Sequence, residues 1–159
     1  MNNTASILAR FVDEIRFEDI PKELVNEAKR LLMDSVGCAM AGTYTQKGKI
    51  ALTFAGSYGS PAEATIIGTR QKVPATLASF VNGELFNAMD YDALCSPSGH
   101  ITPYVLAAPL AVAEWKNARG QDLITAIVIA HEIGQRVSAG LVIPGPLSKK
   151  RSENGISLQ

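Results

Sequence analysis

Between Pro74 and Leu141 apolar residues return every three or four positions, interrupted only at Leu94 to Ile101 and at Arg119-Gly120-Gln121-Asp122. A pattern of that length admits little besides packed α-helices. In its first part Ala75, Leu77, Ala78, Phe80, Val81, Leu85, Phe86 and Met89 form a nearly continuous apolar face, so this helix is expected to be mostly buried. Pro103 opens the next helix, which carries Tyr104, Val105, Leu106, Leu110, Ala111, Val112 and Trp115, and Pro109 inside it predicts a kink. Asp122 stands where a cap or first-turn acid favours the start of the last and most apolar helix.

Upstream, Ile7, Leu8, Phe11, Val12 and Ile15 share one stripe, with Arg10, Asp13 and Glu14 outside it, which predicts an amphipathic helix facing a core. Phe17-Glu18-Asp19-Ile20-Pro21 reads as a loop into a second helix, because proline suits a first helical turn. Its expected buried face is Leu24, Val25, Ala28, Leu31, Leu32, Val36 and Ala39; Gly37, Cys38, Ala39 and Ala41 invite a close helix approach, and Gly42 is the expected stop. A third helix is expected over residues 47–55. The β-branched run Ala64-Thr65-Ile66-Ile67-Gly68, with Val73 on the return, is the one plausible strand pair. The breaker-rich stretch from Ile143-Pro144-Gly145-Pro146 to the last residue reads as a loop. The expected fold is therefore mainly α: about six helices and one short β-hairpin, with residues 1–142 as a helical domain and 143–159 as an irregular tail or truncated continuation.

Charge removes several function classes. Fifteen Lys and Arg balance fifteen Asp and Glu, and the only basic cluster is Lys149-Lys150-Arg151, so neither nucleic acid nor an anionic membrane is an expected partner. Leu123 to Ala130, the longest apolar run, is far shorter than the roughly 20 residues that cross a bilayer. Met1 to Arg10 lacks the pattern of a secretory signal. Cys38 and Cys95 are too few for a disulfide framework and have no zinc-ligand spacing, which fits a reducing, cytoplasmic setting. Gly68-Thr69-Arg70 is a turn rather than a phosphate loop, and neither a cofactor nor a metal is expected.

The concentrated polar chemistry lies between two buried helices. Asp90 and Asp92 are expected at the end of one helix, and His100 comes after Ser96-Pro97-Ser98-Gly99 and before the next. Two carboxylates and an imidazole on one short connection can move a proton near neutral pH. The same residues also read as charges at a helix end and a cap on the next helix, and on the residues alone that structural reading is the preferred one. His131, beside Glu132 in the most apolar helix, reads as a core histidine hydrogen-bonded to a neighbour. Cys95 has no basic partner at an informative spacing and reads as a half-buried thiol.

Ordered pieces on both sides of this loop resemble the MmgE/PrpD family. They are Phe17-Glu18-Asp19-Ile20-Pro21 ahead of Ala28-Lys29-Arg30-Leu31-Leu32-Met33-Asp34-Ser35-Val36-Gly37-Cys38, then Ala64-Thr65-Ile66-Ile67-Gly68. Asn82-Gly83 leading into Asn87-Ala88-Met89-Asp90-Tyr91-Asp92 is similar to the family's Asn-Gly and His-Ala-x-Asp-Phe-Asp-Asp pattern. Gly99-His100-Ile101-Thr102-Pro103 falls where its His-Pro-Ser is expected. The resemblance implies metal-free lyase or isomerase chemistry on a small di- or tricarboxylic acid, dehydratase-like as with 2-methylcitrate, with decarboxylation and epimerisation as alternatives. It further implies Asp90 and His100 as catalytic residues, Asp92 and Asn87 as substrate-binding residues, a homodimer, and a second, α+β domain that supplies basic groups. A helical module for dimerisation or ligand binding, catalytically incomplete without that domain, is the competing expectation. Ala93, Leu94 and Asn87 depart from the pattern, where Asp, Thr and His are usual.

Overall fold

The computed structural model describes residues 3–58, 60–96 and 99–141. The expected tail from Ile143, the Lys149-Lys150-Arg151 cluster, and Gly59, Pro97 and Ser98 lie outside the described residues. Among the described residues there are six α-helices and one small antiparallel sheet. In chain order these are α1 (Thr4–Glu14), a 3-10 turn (Phe17–Asp19), α2 (Lys22–Gly42), α3 (Gln46–Ala55), β1 (Ala64–Thr65), β2 (Lys72–Val73), α4 (Ala75–Phe86), α5 (Thr102–Trp115) and α6 (Gly120–Leu141). The hairpin register pairs Ala64 with Val73 and Thr65 with Lys72. No described helix is long and apolar enough to cross a membrane.

α4 is the centre. It packs against α2, α3 and α5, while α6 closes the bundle by packing on both α5 and α2. Ala78, Val81, Leu85 and Phe86 of α4 have no exposed surface, and Leu106 and Ile127 meet them from α5 and α6. Each large side chain so buried stabilises the fold by about 1.5–3 kcal/mol relative to exposure. Phe80 and Met89 leave this face: Phe80 is 54% exposed, and Met89 lies beyond the end of the helix.

Short polar contacts set the helix boundaries. The Asn3 side chain accepts the Ser6 amide at 2.8 Å, and Thr45 Oγ1 accepts the Gly48 amide at 2.9 Å. Both satisfy donors that the first helical turn leaves free. Asp122 accepts the Arg119 amide at 3.1 Å and pairs with its guanidinium at 2.9 Å, as its position in the first turn of α6 suggests. Pro109 lies inside α5, which continues to Trp115.

Three packing expectations change. α1 forms, yet none of its residues is buried, and Ile7 is 55% exposed. On α2 the buried face is Val25, Ala28, Leu31, Ser35, Cys38, Ala39 and Gly42, and Leu24 points to solvent. The close approach occurs at Gly42 rather than Gly37. A Cβ on Gly37 would meet nothing within 4 Å, whereas one on Gly42 would lie 2.4 Å from the Leu85 carbonyl oxygen. The same crowding holds Gly48 of α3, where a Cβ would lie 2.0 Å from the Gly42 oxygen. Missing side chains at Gly42 and Gly48 therefore let the end of α2 and the start of α3 seat against the last turn of α4.

Candidate functional site

α4 ends at Phe86, ahead of Asp90, so Asp90 and Asp92 belong to the loop after it rather than to a helix terminus. The chain turns sharply at Asp90, whose φ of +54° lies in the left-handed region that aspartate tolerates better than most residues. It is then brought back by a small bridge: the Cys95 amide donates to the Gly99 oxygen at 2.9 Å, and the Gly99 amide returns the bond at 2.7 Å. Gly99 adopts φ +69°, where a side chain would be strained. The buried Thr102 hydroxyl donates to the Ala93 oxygen at 3.4 Å, tying the start of α5 to the loop. The α5 N-cap is Ile101 with no side-chain cap, so His100 does not serve as one.

These local features bring together three of the residues singled out from sequence. His100 Nδ1 lies 3.0 Å from Asp92 Oδ2, and His100 Nε2 lies 3.4 Å from Asp90 Oδ1. The three side chains differ in exposure: none for Asp92, 20% for His100 and 71% for Asp90. A buried carboxylate only accepts, so the proton on the neutral ring belongs on Nδ1 and the Nε2 lone pair faces Asp90. A proton taken at Nε2 would lie against a second carboxylate. Such an arrangement can serve as a general base, oriented from behind by one acid and backed in front by another. The candidate ligand atoms of Asp90, Asp92 and His100 lie within 4.8 Å of one another, a spacing that a cation can share. Asn87 and His100 already engage both oxygens of Asp92.

Asn87, the fourth residue singled out, donates from Nδ2 to Asp92 Oδ1 at 2.9 Å. Sequence reasoning missed the next member. Lys47, in the first turn of α3, donates from Nζ to Asn87 Oδ1 at 2.9 Å and pairs with Glu84 at 3.2 Å. Forty residues separate Lys47 from Asn87, and no local pattern links them. The usable signal was the pair Gly42 and Gly48, which seats α3 on α4.

Other chemistry-bearing residues fall elsewhere. Burial, together with the Asp34 and Asp92 carboxylates, pushes the Cys38 thiol above its usual range. Burial holds the His131 imidazole below its ordinary value against an opposing pull from Glu27. Among the described residues its Nε2 is buried without a hydrogen-bond partner. His131 lines a cavity of about 510 Å³ between α1, α2 and α6, whose wall also includes Phe11, Ile15, Leu94, Cys95 and Ile127. The loop that carries Asp92 thus has a second face toward this cavity.

Residues 6–145 match the family model described as the MmgE/PrpD N-terminal domain. Among curated relatives, the cis-aconitate decarboxylase-like protein oryM of Aspergillus oryzae is 26% identical over 147 residues, covering 87% of this chain and 30% of its own length. Cis-aconitate decarboxylase of Homo sapiens is 27% identical over 134 residues, 81% of this chain and 28% of its own length. That of Aspergillus terreus is 25% identical over 146 residues, 88% of this chain and 30% of its own. The chain spans about 30% of the length of these relatives.

Proposed function

The chain belongs to the MmgE/PrpD family through its N-terminal domain, and from this premise we propose that it forms the helical part of a lyase acting on a small di- or tricarboxylic acid. The observation that carries the reading is His100, held at Nδ1 by buried Asp92 and facing Asp90 from Nε2. Dehydration, decarboxylation and epimerisation of such acids share one requirement, a group that takes or gives a proton at a carbon beside a carboxylate. Loss of carbon dioxide leaves an electron pair on carbon that must be protonated; dehydration and epimerisation begin by removing a proton from such a carbon. His100 Nε2 is the group for that transfer and Asp90 is its partner on the exposed side.

The relatives' activity favours decarboxylation as the reaction to assay first, ahead of the dehydration implied by the sequence resemblance. Asp92, first expected to contact substrate, is better assigned to orienting His100, because its side chain is buried and both oxygens are engaged. The helical unit of residues 1–142 works, in this reading, with chain corresponding to the remaining length of the relatives, which would supply cations for the substrate carboxylates.

The test is incubation of cis-aconitate and 2-methylcitrate with this chain, and with any longer protein containing it, and detection of products by proton NMR. Turnover is expected to fall on the order of 10²–10⁴-fold in His100→Ala and Asp90→Asn variants that keep the fold. Undiminished turnover in His100→Ala, or neither binding nor turnover of either acid, overturns the reading.

A further inference from the structure

We infer that Lys47 and Asn87 are positioning residues for His100, holding in place the Asp92 carboxylate that receives its Nδ1 proton and so presents its Nε2. The inference rests on the reading of His100 as the proton-handling group for its functional consequence, but not for its geometry.

Donor and acceptor inventory fixes how these side chains face one another. A side-chain amide can present either end to a neighbour, and an ammonium group can only donate. With Lys47 Nζ at 2.9 Å, the oxygen of Asn87 must face Lys47, which turns its NH₂ toward Asp92 Oδ1 at 2.9 Å. The carboxylate can only accept, so its other oxygen, 3.0 Å from His100 Nδ1, receives the ring proton. The contacts therefore converge on Asp92: Asn87 and His100 both donate to the carboxylate, and Lys47 holds the oxygen end of the Asn87 amide from behind.

Two further observations make Lys47 a fixed anchor. Glu84 and Asn87 lie three residues apart at the end of α4, and Lys47 contacts both, pairing with Glu84 at 3.2 Å. Its backbone neighbour Gly48 is pressed against Gly42 so closely that no side chain fits. Asp92 gives the chain its leverage: its side chain has no exposed surface, and losing the Asn87 donor would leave a buried carboxylate with His100 as its remaining side-chain donor among the described residues. A carboxylate in that condition shifts toward water and carries the ring with it.

The experiment tracks the His100 Nδ1–H proton in the nitrogen-15-labelled chain by NMR without substrate; His131 is the only other histidine. Its exchange with water is expected to accelerate about fivefold in Lys47→Met, the factor given by the net contribution of one hydrogen bond. Asn87→Leu is expected to accelerate it at least as much, the double variant no further than Asn87→Leu alone, and Lys47→Arg to restore the slow rate. An unchanged rate in Lys47→Met with an intact amide spectrum overturns the inference, as does a double variant whose effect is the product of the two singles. If Lys47→Met disturbs the amide spectrum, Lys47→Arg decides: a slow rate supports the inference and a fast one overturns it. A chain that behaves as expected here but turns over no carboxylate sinks the proposed function alone. Turnover with unchanged exchange in Lys47→Met sinks only the positioning role.

Discussion

His100 Nδ1 lies 3.0 Å from Oδ2 of Asp92, and the pair spans the protein boundary, the carboxylate wholly enclosed and the ring 20% exposed. The enclosed member holds the ring by a face that solvent does not reach, leaving the other nitrogen toward Asp90.

Asp92→Asn tests that division. An amide at position 92 has one accepting end, while Asn87 and His100 both present donors to this residue. If its NH₂ faces His100, the ring must move its proton to Nε2 and lose the lone pair that faces Asp90. If its NH₂ faces Asn87, that amide must turn and present donors to Lys47. Turnover of the carboxylic acid is expected to fall on the order of 10²–10⁴-fold with the fold retained, as when the wrong histidine tautomer is imposed. Rate measurements and nitrogen-15 shifts of His100 check it, and full activity would refute the orienting role.

The helices were legible because apolar spacing along one segment reports its own buried face, as Val25, Ala28 and Leu31 do on α2. The Asp90 to His100 loop was legible because its polar residues are neighbours in sequence. Lys47 was not, since its relation to Asn87 exists only after α3 has docked on α4. The stripe on α1 predicts the helix and the side that turns inward, Leu8, Phe11 and Ile15 being half-buried, but not the depth, because periodicity reports a preference for an apolar partner and not how fully one covers it. The partnerless Nε2 of His131 was likewise hidden, since a hydrogen-bonding partner is a property of packing.

Asn82 holds the hairpin to the central helix. Its Oδ1 accepts the Ile67 amide at 2.9 Å and its Nδ2 donates to the Thr65 oxygen at 3.0 Å, with only 1% of the residue exposed. Asn82→Leu strands a backbone donor and a backbone acceptor and is expected to cost about 2–4 kcal/mol. Urea unfolding measures this, and an unchanged midpoint would count against it.

Two glycines on α2 should respond with opposite signs. Gly37→Ala adds a methyl group to open space in a helix interior and is expected to stabilise by about 0.5–1 kcal/mol. Gly42→Ala drives a methyl group to 2.4 Å from the Leu85 oxygen and 3.1 Å from the Ala88 Cβ, with an expected loss of about 1–3 kcal/mol. Thermal midpoints of the two variants must move apart for the close approach to be at Gly42.

Acid sensitivity should trace to His131. Burial lowers its proton affinity in the fold below the ordinary 6.5, with Glu27 pulling weakly the other way. In the unfolded chain the imidazole regains the ordinary value, so below pH 6.5 the unfolded state binds more protons than the folded one. Stability from this residue is thus complete above that pH and is lost as pH falls from it toward the folded value. Glu27, Glu114 and Asp122 are held below their usual 4.5 and 3.8, so their contributions fade only in more acid solution. Between about pH 7.5 and about pH 5.5, a window spanning the ordinary imidazole value, the thermal midpoint of the wild-type chain should therefore fall more than that of His131→Leu. His100 is common to both chains and cancels in the comparison. Equal falls would mean that burial of His131 imposes no proton-linked cost on folding.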